Sequence, residues 1–331
     1  MVAVHSTARG PALGGCRMWT YDDSRSAVRD VLRLSRAMTF KAAVAGLPLG
    51  GGKGVIMLRP ELQMDASRRE DVLLDFADTV ASLEGRYLTA EDVGTSDADM
   101  AVIARGTDHV TGLAEASGGS GDPSPWTALG VEAGLRVACE RVWGTTSLEG
   151  RRIAVIGLGR VGGHLARLLA EGGAELLVAD IDQGKRALAD ELGAAWTDPD
   201  TALRAEVDVL APCALGGVLD DRTVPELRCR AIAGAANNQL ATEGIADLLS
   251  SRGILWAPDF VANAGGIINI AVELEPEGYD RARAEPAVRA IADTMRQIFD
   301  DAATIGATPL TAAMELSRRR VAEATAASKP G

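Results

Sequence analysis

The segment that most restricts the fold is Arg152-Ile-Ala-Val-Ile156 running into Gly157-Leu-Gly159-Arg-Val-Gly162 and then an apolar-periodic stretch to Glu171. The first run reads as a buried strand and the last as a helix, with the glycines at the turn between them. G-x-G-x-x-G alone is a weak pattern, but the strand–turn–helix context is the one its mechanism needs. Gly157 permits the tight turn, Gly159 lets backbone approach a pyrophosphate, and Gly162 allows helix to pack closely on strand. The helix N-terminus offers N–H groups and a partial positive charge to phosphates. Asp180 closes the next strand, Glu175–Ala179, where a carboxylate hydrogen-bonds ribose hydroxyls and repels a 2′-phosphate. The expected cofactor is therefore NAD rather than NADP.

The rest of this half continues the alternation. Val207–Ala211, Ala231–Ala233 and Gly253–Trp256 read as short strands with helical material between them, which predicts a parallel, doubly wound sheet. After Glu285 the pattern is helical to about Ala327, with a break near Gly306–Pro309. The first part is different. Val2–Ser6 alternates like a strand, residues 24–40 and 67–84 are amphipathic helices, and Gly46–Ile56 reads as a glycine-rich turn entering a short apolar strand. Residues 117–125 are rich in breakers and form the candidate hinge, followed by a helix from about Trp126 to Arg141. A chain of 331 residues with this change of pattern predicts two α/β domains separated by a cleft. The first is a substrate domain at 1–125, with C-terminal helices 306–331 packing back on it. The second is a Rossmann-type domain at 126–305.

Charge excludes some partners. Lys and Arg total 34 against 46 Asp and Glu, a net charge of −12, which disfavours nucleic acid and anionic membrane as main partners. No secretory signal is visible at the N-terminus, and no apolar run reaches the roughly 18 residues of a membrane span. Cys16, Cys139, Cys213 and Cys229 form no C-x-x-C, and the histidines are only His5, His109 and His164, so no metal site is expected. Reduced thiols suit the cytoplasm.

Lys41 and Lys53 are the only lysines before Lys185, and Lys53 follows three glycines. The segment fails as a phosphate loop, because Leu47 and Gly54 stand where that motif needs Gly and Ser or Thr. One lysine could hold a carboxylate. The other, desolvated beside a like charge, could act as a base near neutral pH; two solvated surface lysines are the plain alternative. Asp92, in Tyr87-Leu-Thr-Ala-Glu-Asp-Val-Gly94, is a candidate acid–base partner or a helix cap. Asn237, Asn238 and Asn263 lie among small residues, where amides bind a carboxylate or an amide edge, or serve turns.

Gly10-Pro-Ala-Leu-Gly-Gly-Cys-Arg17, Met38-Thr-Phe-Lys41, Leu49-Gly-Gly-Gly-Lys53, Thr89-Ala-Glu-Asp-Val-Gly94, Ala211-Pro-Cys-Ala214, Gly234-Ala-Ala-Asn-Asn238 and Ala257–Gly266 together resemble the leucine/phenylalanine/valine dehydrogenases. These belong to the amino-acid dehydrogenase superfamily that includes glutamate dehydrogenase. The resemblance covers nearly the whole chain. It implies reversible, NAD-linked oxidative deamination of an L-amino acid to a 2-oxo acid and ammonia. By position, Lys41 would bind the substrate carboxylate, Lys53 would activate water, and Asp92 would move amine protons. Asn263 and Asn238 would hold the substrate, near Gly14, Gly15 and Met38. Arg17, Thr127, Leu158, Arg160, Val161, Ile181, Cys213, Ala214, Ala236 and Asn237 would join the fingerprint glycines and Asp180 around the cofactor.

Glutamate dehydrogenases carry a lysine at the position of Leu13 and a small hydroxyl residue at that of Ile270. Leu13, Ala90, Ile267 and Ile270 would instead line an apolar pocket, where a side-chain carboxylate is costly to bury. Leucine, valine or isoleucine are the expected substrates. Phenylalanine or another aromatic amino acid is the alternative, and a catalytically silent NAD-binding regulator on the same fold is the alternative of another class. Relatives also carry a further segment before the strand that begins here at Val2, which bears on the expected homo-oligomer.

Overall fold

The computed structural model describes residues 1–59 and 64–327. The chain divides into two compact units. Met1–Pro123, Ile267–Arg281 and the chain from Ser317 form one, and Ser124–Gly266 with Ala282–Leu316 form the other. This departs from the expected division in two places. Residues 267–281 join the first unit, where Ile267 and Ile270 pack with Leu13 and Ala90. Residues 306–316 stay with the second, so the return to the first unit begins only at Ser317. Arg320 fixes that return by donating to Ala43 O and Val44 O at 3.2 and 2.6 Å.

The first unit is built on a four-stranded sheet. Its strands are β1 (Val2–Ser6), β2 (Ala12–Thr20), β3 (Gly50–Leu58) and β4 (Tyr87–Glu91), in the order β1-β3-β2-β4. β1 runs antiparallel to β3, and the other pairs are parallel. The helices are α1 (Ser24–Val44), α2 (Ala66–Ala81) and α3 (Asp97–Ile103). Asp23 caps α1 by accepting from Ser26 N, and Ser96 with Asp99 forms a capping box on α3.

The glycine run 50–54 is not a turn but part of β3, between β1 and β2. Crowding on both faces explains its composition. A Cβ on Gly51 would meet Thr39 N of α1 at 2.0 Å, and one on Gly52 would meet the Tyr87 ring at 2.6 Å.

Strand alternation then divides the sheet into two faces. Ala12, Cys16 and Met18 pack with Phe76, Val80, Tyr87, Met100 and Ile103 in a core that takes in α2 and α3. Leu13, Gly15 and Arg17 face the other way, as do Gly51 and Lys53 of β3 and Leu88 and Ala90 of β4. Leu13, Ala90 and Leu88 join Ala42, Leu49, Ile267 and Ile270 in a separate aliphatic cluster.

The second unit holds six parallel strands: β5 (Arg152–Ile156), β6 (Glu175–Ala179), β7 (Ala195–Thr197), β8 (Val209–Pro212), β9 (Ala231–Ile232) and β10 (Leu255–Trp256). Their order is β10-β9-β8-β5-β6-β7, so the chain reverses direction across the sheet at β5. Ligands of such sheets bind at the carboxyl ends of strands at this reversal. α4 (Ser124–Trp143) precedes β5, and α5 (Arg160–Glu171) follows it. Among the described residues no helix is long and apolar enough to cross a membrane.

Candidate active site

In the first unit, the sheet face opposite the α2–α3 core gathers the charged groups. Lys53 is buried, and its Nζ lies 2.9 Å from Asp92 Oδ2. Arg17 Nε donates to the same oxygen at 3.0 Å. Gly15 makes room for this arrangement, since a Cβ there would stand 2.8 Å from Asp92 Cβ. The Asp92 backbone is also held, because its N–H donates to Thr95 Oγ1, whose hydroxyl lies 2.8 Å from Cys16 O. Arg69 steadies the following loop through Asp99 and Gly94 O.

Burial pushes the Lys53 ammonium below its ordinary range. The Asp92 charge opposes this, and the nearby Arg17 adds to the lowering. Burial alone would raise Asp92, but Lys53 and Arg17 outweigh it and hold the carboxyl below the ordinary carboxylate range. Burial pushes the neighbouring Cys16 thiol up to about 12, so it stays neutral. The face therefore carries a fixed carboxylate beside an amine that gives up its proton more readily than a solvated lysine.

The aliphatic cluster lies on the same face and contains only Leu, Ile and Ala side chains. Lys41 adjoins it in sequence: it is half-buried in the last turn of α1, next to Ala42. Met38, three residues earlier and also half-buried, lies on the same side of that helix but is not a member of the cluster.

In the second unit, Gly157 has φ +98°, and Asp180 Oδ2 accepts from Leu158 N at 2.6 Å. A Cβ on Gly162 would meet Gly157 O at 1.9 Å, whereas one on Gly159 would meet nothing within 4 Å. Open space thus lies before the N-terminus of α5, which no side chain caps. Ile181 is 90% exposed just beyond Asp180, an apolar surface suited to a flat base. These residues fit a dinucleotide. Arg160 and Val161 open α5, and Cys213 and Ala214 pack against Gly162 and Gly157. Ala236 N donates to Pro212 O at 2.9 Å, and Thr127 lies beside Gly265.

Asn263 Nδ2 donates to Ala235 O at 3.1 Å and Asn237 Oδ1 at 2.9 Å, while its buried Oδ1 has no hydrogen-bond partner. An acceptor left unmatched in this way is available to an N–H donor. Among the described residues no cluster of three or more His, Cys, Asp or Glu could hold a metal.

Residues 1–109 match the Glu/Leu/Phe/Val dehydrogenase dimerisation domain, and residues 178–328 match Glutamate/Leucine/Phenylalanine/Valine dehydrogenase. Over 331 residues the chain is 44% identical to a leucine dehydrogenase of Geobacillus stearothermophilus, covering 100% of this chain and 89% of the relative. The chain belongs to the Glu/Leu/Phe/Val dehydrogenase family. A valine dehydrogenase of Streptomyces virginiae is 45% identical over 98% of this chain and 90% of its own length. The crystal structure of L-tryptophan dehydrogenase from Nostoc punctiforme matches with a TM-score of 0.85 at 39% identity, covering 98% of this chain and 92% of that one. Residues 134–215 also match the NAD binding domain of D-isomer specific 2-hydroxyacid dehydrogenases, in keeping with the strand–glycine–helix reading.

For this family member, the site residues named from sequence fall into two groups. Lys53, Asp92, Arg17, Leu13, Gly14, Gly15, Ala90, Ile267 and Ile270 share the first unit with Met38 and Lys41. The fingerprint, Asp180, Cys213, Ala214, Thr127 and the asparagines share the second. Asn263 is bonded to Asn237, not to Asn238, which is exposed with φ +53°. Sequence reasoning missed Leu49 and Ala42 in the cluster, Asp30 and Tyr21 behind Arg17, Thr95 behind Asp92, and Gln239 behind the asparagines. Only Thr95 had a local signal, as a hydroxyl three residues after the acid.

Proposed function

We propose that the chain catalyses NAD-dependent oxidative deamination of branched aliphatic L-amino acids to their 2-oxo acids and ammonia. The observation that carries this reading is the pair of buried Lys53 and half-buried Asp92 on the same sheet face as a cluster of purely aliphatic side chains. A substrate side-chain carboxylate would find no partner in that cluster, so glutamate is a poor substrate.

Lys41 binds the α-carboxylate as a fixed ammonium. Asp92 accepts a proton from the substrate ammonium. Gly157–Gly162 and Asp180 would hold NAD, which when bound would supply the acceptor for the Cα hydride. Lys53, in its neutral form, then takes a proton from the water that attacks the imino carbon; Asp92 gives its proton to the amino nitrogen and accepts the hydroxyl proton as the C–N bond breaks, the carbonyl forms and ammonia departs. A desolvated lysine suits this role because a base works best when its pKa is near the working pH. Asn263 offers its unmatched oxygen to an N–H of the substrate or of the nicotinamide amide.

A substrate panel tests the reading, with NADH formation followed from leucine, valine, isoleucine, phenylalanine, tryptophan and glutamate. The branched aliphatics should give the highest kcat/KM. Measurable NAD binding without turnover of any of them would instead mark a silent binding protein. Preference for the aromatics, the reading favoured by the 39% identity to the tryptophan enzyme, would move the substrate class. Isobutylamine reacting as fast as valine would refute the role of Lys41. The chain also works as a homo-oligomer in this reading, supported by the dimerisation-domain match, and a monomer mass by light scattering would refute that.

A further inference from the structure

Arg17 lies between the Lys53–Asp92 pair and a second, outer acid. Its Nε donates to Asp92 Oδ2 at 3.0 Å, and its NH1 donates to Asp30 Oδ2 at 2.9 Å. Asp30, on α1, also accepts from Tyr21 OH at 2.7 Å and from Arg33 NH2 at 2.8 Å. The result is a row of alternating charge, Arg33–Asp30–Arg17–Asp92–Lys53, running from an exposed end to a buried one. Both cations at the inner end contact one oxygen of Asp92. Its Oδ1 carries no hydrogen bond among the described residues.

A buried lysine–aspartate pair left to itself has two low-energy forms. One is the ion pair. The other is a neutral pair in which the lysine has given its proton to the acid, and an apolar setting favours this second form. In the neutral form Asp92 could not accept a substrate proton. A guanidinium does not deprotonate in proteins, so its contact selects the carboxylate. Two anchors on the guanidinium also fix the rotation of the carboxylate.

We propose that Arg17 is a positioning residue that keeps Asp92 ionised, turns its Oδ1 outward for the substrate amine, and depends on Asp30 to be held there. The proposal rests on the deamination reading. It assigns Arg17 to the acid rather than to the cofactor, where the family resemblance would put it. The groups that act on the pair are Arg17 from the same sheet face and Cys16 from the opposite one; Asp30, Arg33 and Tyr21, from α1 and the loop before it, stand behind Arg17, and Asp99 of α3 acts on Cys16. The Met1 amino group, bonded to Val55 O, lies beyond Cys16. Of these, Arg17 is the cation that contacts Asp92 and cannot exchange a proton with it. Its charge bears on both members: it draws the Asp92 carboxyl down and, as a like charge, the Lys53 ammonium down too.

The test is the pH profile of kcat/KM for Arg17→Met, Arg17→Lys and Asp30→Asn, together with KM for NAD and melting temperature. Carbonyl ¹³C titration of selectively labelled aspartate is followed in the same proteins. In Arg17→Met the rising limb should move to higher pH, so that the rate at neutral pH falls about tenfold while the alkaline plateau changes little. Arg17→Lys restores charge without the double anchor and should recover part of the limb. Asp30→Asn should move the limb the same way by less. The Asp92 carboxyl signal should titrate at higher pH in Arg17→Met than in the parent.

A raised KM for NAD with an unmoved limb would give Arg17 to the cofactor and overturn the proposal. A lower melting temperature and plateau with an unmoved limb would make its role purely structural and also overturn it. If Arg17→Met does not fold, unmoved limbs in Arg17→Lys and Asp30→Asn would overturn it equally. If the parent turns over no amino acid, the deamination reading fails, and the carboxyl titration still decides whether Arg17 holds Asp92 ionised.

Discussion

The Lys53 ammonium, 5% exposed, stands 2.9 Å from Asp92 Oδ2, and burial outweighs the attraction of that carboxylate in setting its proton affinity. The ammonium form is therefore less favoured than in a solvated lysine, and the amine becomes available below the ordinary lysine value of about 10.4. The rate of deamination should rise with pH and level off below that value. Lys53→Ala should lower kcat by roughly 10²–10⁴ while leaving NAD binding intact, as read by NADH fluorescence titration. Loss of NAD binding in that variant would instead place Lys53 in the cofactor site.

Asp92, Asp30 and Asp99 each have a carboxyl held below its unfolded value by arginine, lysine or hydroxyl partners. For depressed carboxyls the stabilisation is complete above the unfolded value of about 4 and is lost as the pH falls through the folded values. Urea midpoints should hold steady from neutral pH down to about 5 and drop below 4. Asp99→Asn should shrink that drop, since it removes the Arg69 ion pair and the titrating group together. An undiminished drop would mean that other acids carry the effect.

Asp180 should matter twice. Its Oδ2 holds Leu158 N and its Oδ1 holds Asp182 N, so it shapes the glycine turn besides its proposed role at the ribose. Asp180→Ala should raise KM for NAD about tenfold and narrow the preference over NADP. A raised KM with an unchanged preference would leave Asp180 only the first of these roles.

Leu13 and Ile270 are almost fully buried in the aliphatic cluster. Leu13→Ala should shift kcat/KM from leucine toward phenylalanine, at about 1–3 kcal/mol per methylene equivalent of space. It should also cost about 2–5 kcal/mol of stability in the unliganded protein. A phenylalanine-to-leucine ratio that does not move would show that Leu13 is core rather than pocket.

Gln239 is wholly buried, and its side chain makes three bonds. Nε2 donates to Gly234 O and Ala236 O, and Oε1 accepts from Trp256 Nε1. Its backbone N–H donates to Asp259 Oδ2. Gln239→Leu would orphan the three side-chain partners and should cost at least about 3 kcal/mol, measured by denaturant unfolding. It should also weaken NAD binding, because the Ala236–Asn238 loop loses its support.

What could be read without coordinates followed from how local each signal is. The Gly157–Gly162 turn, β5 and Asp180 were legible because strand, turn and helix are consecutive, and local sterics fix them. Lys53 and Asp92 were legible as residue types, but their 2.9 Å approach depends on strands β3 and β4 lying on either side of β2, which no window of sequence contains. The glycines of β3 misled for a physical reason. Glycine ordinarily marks a turn, and here it answers crowding from Thr39 and Tyr87, both distant in sequence. Asp30 looks like any solvated helix acid until β2 brings Arg17 beside it. β2 itself went unread because its glycines interrupt the apolar alternation.

The glycine-filled β3 also decides where this enzyme can change. With no tolerance for a side chain at Gly50, Gly51, Gly52 or Gly54, the strand presents Lys53 from a track that mutation cannot remodel. Selection for new substrates must therefore work through the neighbours: Leu13 on one strand, Leu88 and Ala90 on another, and Ile267 and Ile270 on the helix Gly265–Glu273. A library restricted to those five positions would sample side-chain preference while leaving the Lys53–Asp92 pair untouched. In that sense the chain separates a sterically fixed rail from an adjustable gauge beside it.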